Sequence, residues 1–70
     1  MKIKKYPIGN RIKTLRKELD KLQRQLAAEV GVSRTTIGKW ERNEVKPNVE
    51  NLPALSKALK KPISYLLIGE

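Results

Sequence analysis

The chain has 70 residues, room for one small domain and no second core, since single domains commonly run to about 100 residues or more. Sixteen Lys and Arg against seven Asp and Glu, with no His and no Cys, give a net charge of +9. This excludes a disulfide scaffold and removes the thiolate and imidazole ligands, the Cys nucleophile and the His general base, so no enzyme, metal site or cofactor is expected. The charge favours a polyanionic partner, nucleic acid first and an anionic membrane surface second.

No apolar run approaches the roughly 20 residues needed to span a bilayer, and the opening MKIKKYPIGN lacks the apolar stretch and cleavage site of a secretory signal. A soluble, intracellular protein is expected. The positive charge is uneven: residues 1–46 carry 13 basic and 5 acidic side chains, residues 47–70 only 3 and 2. The first part should therefore face the polyanion. Residues 1–8, with Lys2, Lys4 and Lys5, read as a flexible basic arm, or as an arm reaching DNA, ahead of one domain over 9–70.

Helical spacing dominates the rest. Ile8, Ile12, Leu15 and Leu19 recur at intervals of four, three and four, which stacks them on one face of a helix over about residues 10–19, with Asn10 as its N-cap. Leu22, Leu26, Ala27 and Val30 make a second stripe over 23–30 that stops at Gly31, a residue suited to the left-handed conformation beyond a helix end. Ser33 is placed to cap a third helix over 34–42 that turns Ile37 and Trp40 inward. Residues 43–48 read as a loop, because Lys46 precedes Pro47. Leu52, Leu55, Ala58 and Leu59 form a fourth stripe, and Pro53 restricts its start, since a proline costs little only in the first turn. Asn51 is the expected cap there. A last helix holds Ile63, Leu66 and Leu67 and closes at Gly69. The expectation is all-α, five short helices with no strand.

The informative segment is Gln23 to Trp40. Two helices joined by a three- or four-residue turn cross at roughly 90 to 120°, so a small side chain is needed where they touch and a residue tolerant of positive φ where the chain turns. Ala27 and Gly31 supply these, with Leu26, Val32, Ile37 and Trp40 as inner anchors. Trp40 is read as core rather than as a base-stacking platform, and Ser33 as a cap rather than a nucleophile, because no base is available to activate it. Arg34, Thr35, Thr36, Gly38 and Lys39 are left on or near the outer face, where a helix entering a groove presents its side chains.

Gln23 to Glu41, QRQLAAEVGVSRTTIGKWE, resembles the helix-turn-helix of the Cro and CI-type (XRE-like) lambdoid phage repressor family. NRIKTLRKE before it, and NLPALSKAL and YLLIGE after it, extend the resemblance over about residues 8–69. It implies a five-helix, lambda-repressor-like DNA-binding domain with the motif at helices two and three. It further implies a transcriptional regulator, a repressor, binding a pseudo-palindromic operator in double-stranded DNA as a homodimer that can be monomeric when free, with recognition helices about 34 Å apart.

On this pattern Arg34, Thr35 and Lys39, flanked by Thr36 and Gly38, read base edges. Arg34 is suited to guanine O6 and N7, and Thr35 to a hydroxyl bond or a thymine methyl. Gln23, Ser33, Arg42, Asn43, Lys46 and Asn51 are the candidate phosphate contacts, and Arg16 with Glu41 matches a partly buried ion pair between helices one and three. The sequence departs from the pattern in two places. Lys21-Leu22 stands where a hydroxyl residue usually caps helix two, which leaves Asp20 as the available cap and an earlier helix start. Gly38 occupies a recognition-helix position where Ser is common, at about 1 kcal/mol relative to Ala.

Ile63, Leu66, Leu67 and Ile68 exceed what one side of so short a helix can bury. Ile63, Leu66 and Ile68 are therefore candidate dimer contacts, the alternative for Tyr65 and Ile68 being scattered surface apolar residues. A core of this size rarely provides more than about 3 to 5 kcal/mol, so a bound partner should raise apparent stability. Two other functions share these features: an antitoxin-like or adaptor protein of the same fold whose main partner is a protein, and a basic helix lying on a membrane surface. Cooperative melting would count against the last.

Overall fold

The computed structural model describes residues 7–69. Five α-helices follow one another, α1 (Ile8–Glu18), α2 (Gln23–Val30), α3 (Arg34–Glu41), α4 (Leu52–Leu59) and α5 (Ile63–Ile68), with a 3-10 turn, Val49–Asn51, leading into α4; no strand occurs among the described residues. No helix among these residues is long and apolar enough to cross a membrane.

The stripes read from spacing converge on one core. Ile12 and Leu15 of α1, Leu26 and Ala27 of α2, Ile37 and Trp40 of α3, Leu52, Leu55, Ala58 and Leu59 of α4 and Leu66 of α5 are all buried, with Ile8, Leu19, Val30, Val32, Ile63 and Tyr65 packed around them. Trp40 is a core residue. Tyr65 stands at the rim, its ring centroid 5.0 Å from the Lys61 ammonium. At the C-terminal end of α5, Arg11 Nε and Nη2 donate to the carbonyls of Leu66 and Leu67, both at 2.8 Å. These carbonyls lack helical partners, so α1 caps the end of α5.

The helix ends correct several expectations. Asn10 does not cap α1: the helix starts two residues earlier, at Ile8, with extended Pro7 in the N-cap position and no side-chain cap of its own. The Gly9 N–H, which a local cap would accept, instead donates to Asn43 Oδ1 at 3.0 Å, and Asn43 Nδ2 donates to Asn10 Oδ1 at 2.7 Å. Asn43 thus caps α1 from across the sequence. It also ends α3: at φ 62° it lets Asn43 N donate to the Trp40 carbonyl and Glu44 N to the Lys39 carbonyl, the paired bonds that close a helix through a left-handed residue.

Nor does Asp20 cap α2. It is the left-handed residue, φ 56°, beyond the end of α1, where Asp20 N and Lys21 N donate back to the Lys17 and Arg16 carbonyls. α2 starts at Gln23, no earlier, and Gln25 Oε1 reaches back to the Leu22 N–H at 2.7 Å. This is the rear half of a capping box, without a side-chain acceptor in front. Asn51 occupies the N-cap position of α4 but makes no side-chain cap bond, because the 3-10 turn already holds it near helical angles, φ −90° and ψ −11°. Pro53 lies in the first turn. Ser33 caps α3, its Oγ accepting the Thr36 N–H at 3.1 Å. The basic arm assigned to residues 1–8 lies mostly outside the described residues, and its last member, Ile8, belongs to α1.

Two glycines are required for opposite reasons. Gly31 has φ 89° and open space where a Cβ would stand, so its need is conformational. Gly9 has no positive φ, yet a Cβ there would meet the Trp40 carbonyl oxygen at 2.0 Å and Asn43 Oδ1 at 2.5 Å. Its need is spatial: α1 crosses the end of α3 too closely for any side chain.

Candidate nucleic-acid interface

α2 and α3 pack against each other around the turn at Gly31, Val32 and Ser33, and α1 closes the inner side of α3. Ile37 and Trp40 face the core and leave Arg34, Thr35 and Lys39 on an exposed edge. Thr36 is half-buried, with its hydroxyl 3.0 Å from Ser33 Oγ, so it serves the cap as much as the surface. Gly38 is covered rather than bare: a Cβ there would lie 3.1 Å from Arg42 Nη1 and 4.0 Å from Gln23 Nε2.

Behind the edge runs a chain of hydrogen bonds. Arg16 Nε and Nη2 donate to both carboxylate oxygens of Glu41 at 2.6 and 3.0 Å, and Arg16 Nη1 donates to the Lys21 carbonyl at 2.7 Å. Both residues are buried. Glu41 Oε1 also accepts from Gln23 Nε2 at 3.0 Å, and Gln23 Oε1 in turn accepts from Arg34 Nη1 at 3.0 Å. The guanidinium at the start of α3 is therefore tied, through the first residue of α2, to an ion pair fixed on α1. A bidentate guanidinium–carboxylate pair restrains direction as well as distance, which makes this pair a rigid anchor for the exposed end of the chain. Among the described residues no buried side-chain polar atom is left without a partner.

The other candidate contacts are arranged unequally. Arg42 donates from Nε and Nη2 to Glu44 Oε2 and Oε1 at 2.7 and 3.3 Å. The hydrogen bond from Arg42 holds the Glu44 carboxyl below the usual glutamate range, and the same bond raises Arg42 above its ordinary value. The side-chain oxygen of Asn43 is committed to α1 and its amino group to Asn10, so Asn43 is a cap before it is a phosphate contact. Lys46 is exposed on the loop, and Asn51 is half-buried. Of the proposed dimer contacts, Leu66 is fully buried in the core and unavailable to a partner, because the inner face of α5 carries it; Ile63 is half-buried, while Ile68 and Leu67 are 47% and 49% exposed.

Spacing does not show the Gln23 bridge, the Asn43 cap or the Arg42–Glu44 pair. Only Gln25 left a readable signal, a Gln three residues beyond the helix-two cap position.

Two helices crossing over a small-residue contact and a left-handed glycine, with the second helix bearing an exposed, cationic edge, define a helix-turn-helix domain. The chain belongs to the helix-turn-helix family, whose model matches residues 12–66. It is 51% identical over 63 residues to repressor protein C2 of Salmonella phage P22, a match covering 90% of this chain and 29% of that protein. It is 39% identical over 70 residues to the HTH-type transcriptional regulator DicA of Escherichia coli, covering 100% of this chain and 52% of the relative. The chain thus spans about half or less of the length of these two relatives. Its fold matches the crystal structure of the P22 c2 repressor in complex with a synthetic operator, with a TM-score of 0.89 and 49% identity over 93% of this chain and 98% of that one.

Proposed function

We propose that this chain is the DNA-binding domain of a transcriptional repressor of the lambdoid phage type, which docks α3 in the major groove and acts as a pair on a pseudo-palindromic operator in the bacterial cytoplasm. One observation carries the reading: Arg34, Thr35 and Lys39 share an exposed edge of α3, and Arg34 is held by Gln23 within a network anchored on the buried Arg16–Glu41 pair. A long cationic side chain that is already oriented loses less conformational freedom on pairing with a base. The relatives named as repressors and the fold shared with an operator-bound repressor support the same reading.

Arg34 is placed to read a guanine through O6 and N7, Thr35 to bond or touch a neighbouring base, and Lys39 to reach a guanine or a phosphate. Gln23, Ser33 and Lys46 line the backbone contacts, with Arg42 joining them once it leaves Glu44. Asn43 and Asn51 complete the set, Asn43 through the second hydrogen of its amino group, the first being given to Asn10. In the pair, Ile68 and the exposed side of Ile63 supply the apolar contact, joined by Leu67 in place of Leu66.

Selection of bound duplexes from a random pool tests specificity, half-site symmetry and spacing together. On the selected site Arg34→Ala costs about 1–3 kcal/mol and relaxes the choice at one base pair, whereas Lys46→Ala weakens all sequences alike and lowers the salt slope by about 1. Unchanged affinity and unchanged preference in Arg34→Ala would overturn the assignment of the reading edge.

A further inference from the structure

An acidic residue in the loop after α3 needs an explanation that helix stability does not provide. Carboxylates near a helix C-terminus oppose the helix dipole, and one beside a DNA-facing surface repels phosphate. Glu44 nevertheless follows α3 within three residues, with its backbone N–H bonded to the Lys39 carbonyl at 2.9 Å by the left-handed turn at Asn43. That turn delivers the carboxylate to Arg42 in a two-pronged pair at 2.7 and 3.3 Å. The pair sits next to the reading edge: Arg42 Nη1 covers Gly38 beside Gln23, and the charge of Lys39 acts on Glu44 as well. Arg42 and Glu44 are both exposed, so neither is fixed by burial and their exchange with an external anion needs no rearrangement of the core.

Building on the DNA-binding reading above, we infer that Glu44 is a specificity-determining residue: it occupies the Arg42 guanidinium as an internal stand-in for phosphate and withholds it from non-cognate DNA. Non-specific binding is driven almost entirely by counterion release as cations meet phosphates. A cation already neutralised by its own carboxylate releases little, so Arg42 adds nothing to a complex without fixed register. On a cognate site the contacts of Arg34, Thr35 and Lys39 fix the register, and the backbone phosphate held beside Arg42 takes the place of Glu44. The carboxylate thereby removes one phosphate contact from the random complex and leaves it available in the specific one.

The test is Glu44→Gln, measured by fluorescence anisotropy on a duplex selected from a random pool and on a random-sequence duplex, between 50 and 200 mM salt. One additional phosphate contact steepens the salt slope by about 0.9, so the random-duplex affinity of Glu44→Gln falls about 3–4-fold more over that range than that of the unmodified protein. At 50 mM salt the variant binds random duplex more tightly, and the ratio of specific to random affinity narrows. The gain disappears in an Arg42→Gln background, because Glu44 acts through Arg42. The Arg42 Nε–Hε resonance moves when selected duplex is added and stays in place with random duplex.

Equal tightening of Glu44→Gln with and without Arg42 would make Glu44 a general like charge and overturn the inference. Unchanged random-duplex affinity and salt slope in a folded Glu44→Gln would also overturn it while leaving the DNA-binding reading intact. Failure of the unmodified protein to retain any duplex would overturn both.

Discussion

Replacing Gly9 with Ala tests the packing on which the reading edge rests. The added methyl would stand 2.0 Å from the Trp40 carbonyl oxygen and 2.5 Å from Asn43 Oδ1, where ordinary contact begins near 3.4 Å. A backbone carbonyl at the end of a packed helix cannot swing aside as a side-chain tip does, so α1 and α3 must part by more than an ångström. Overpacking of this kind costs about 1–3 kcal/mol. Parting the helices also loosens the bond from Gly9 N to Asn43 Oδ1, worth about 1 kcal/mol. Against this, Ala is favoured over Gly by up to about 1 kcal/mol inside a helix, and by less in the first turn.

The net loss is about 2–3 kcal/mol, a large part of the roughly 3–5 kcal/mol that so small a core provides. At about 4–8 °C per kcal/mol for a domain of this size, Tm falls by roughly 10–20 °C. Gly38→Ala is the internal control: the nearest atom to its Cβ is the mobile end of Arg42, at 3.1 Å, so the helix preference dominates and Tm rises by a few degrees. Circular-dichroism melts and urea titrations of both variants measure the pair. A Gly9→Ala protein that melts at or above the unmodified chain would refute the close crossing of α1 and α3.

Two further outcomes follow from the ion pairs. Glu41→Gln leaves Arg16 buried without a counter-charge and costs about 3–5 kcal/mol, whereas Arg16→Met with Glu41→Leu costs much less; equal losses in urea denaturation would show that the two residues do not act as a unit. The Glu44 carboxyl titrates below the ordinary glutamate value because Arg42 donates to it. Its contribution to stability is therefore fully present above the unfolded pKa and is lost as pH falls through the folded pKa. Carboxyl carbon shifts followed by NMR check this: Arg42→Gln should return the midpoint upward, and a midpoint unmoved by that change would contradict the pair.

The order of the five helices, their inner faces and the outward edge of α3 were legible in the sequence because each depends on neighbours three or four residues apart. Ile12 with Leu15, Leu26 with Ala27, and Ile37 with Trp40 fall at helical intervals, and burial acts on that periodicity whatever the partner helix is. The turn at Gly31 and the cap at Ser33 were equally local. The ion pair of Arg16 with Glu41 was expected from family resemblance, not from spacing, since nothing in the chain between them measures their distance.

Tertiary structure decided where hydrogen-bonding groups at the helix ends found their partners. Asn10, Asp20 and Asn51 carry the right chemistry for caps at about the right positions, yet α1 is capped by Asn43, Asp20 ends one helix instead of beginning another, and Asn51 is taken up as the last residue of a 3-10 turn. A backbone N–H donates to any oxygen that packing brings within reach, so these choices depend on how α1 lies across α3 and not on the residues beside it. The same holds for Gly9, for the burial of Leu66 and for the carboxylate that Glu44 sets against Arg42. Periodicity determines which face of a helix turns inward, whereas only the assembled helices determine which polar atoms meet.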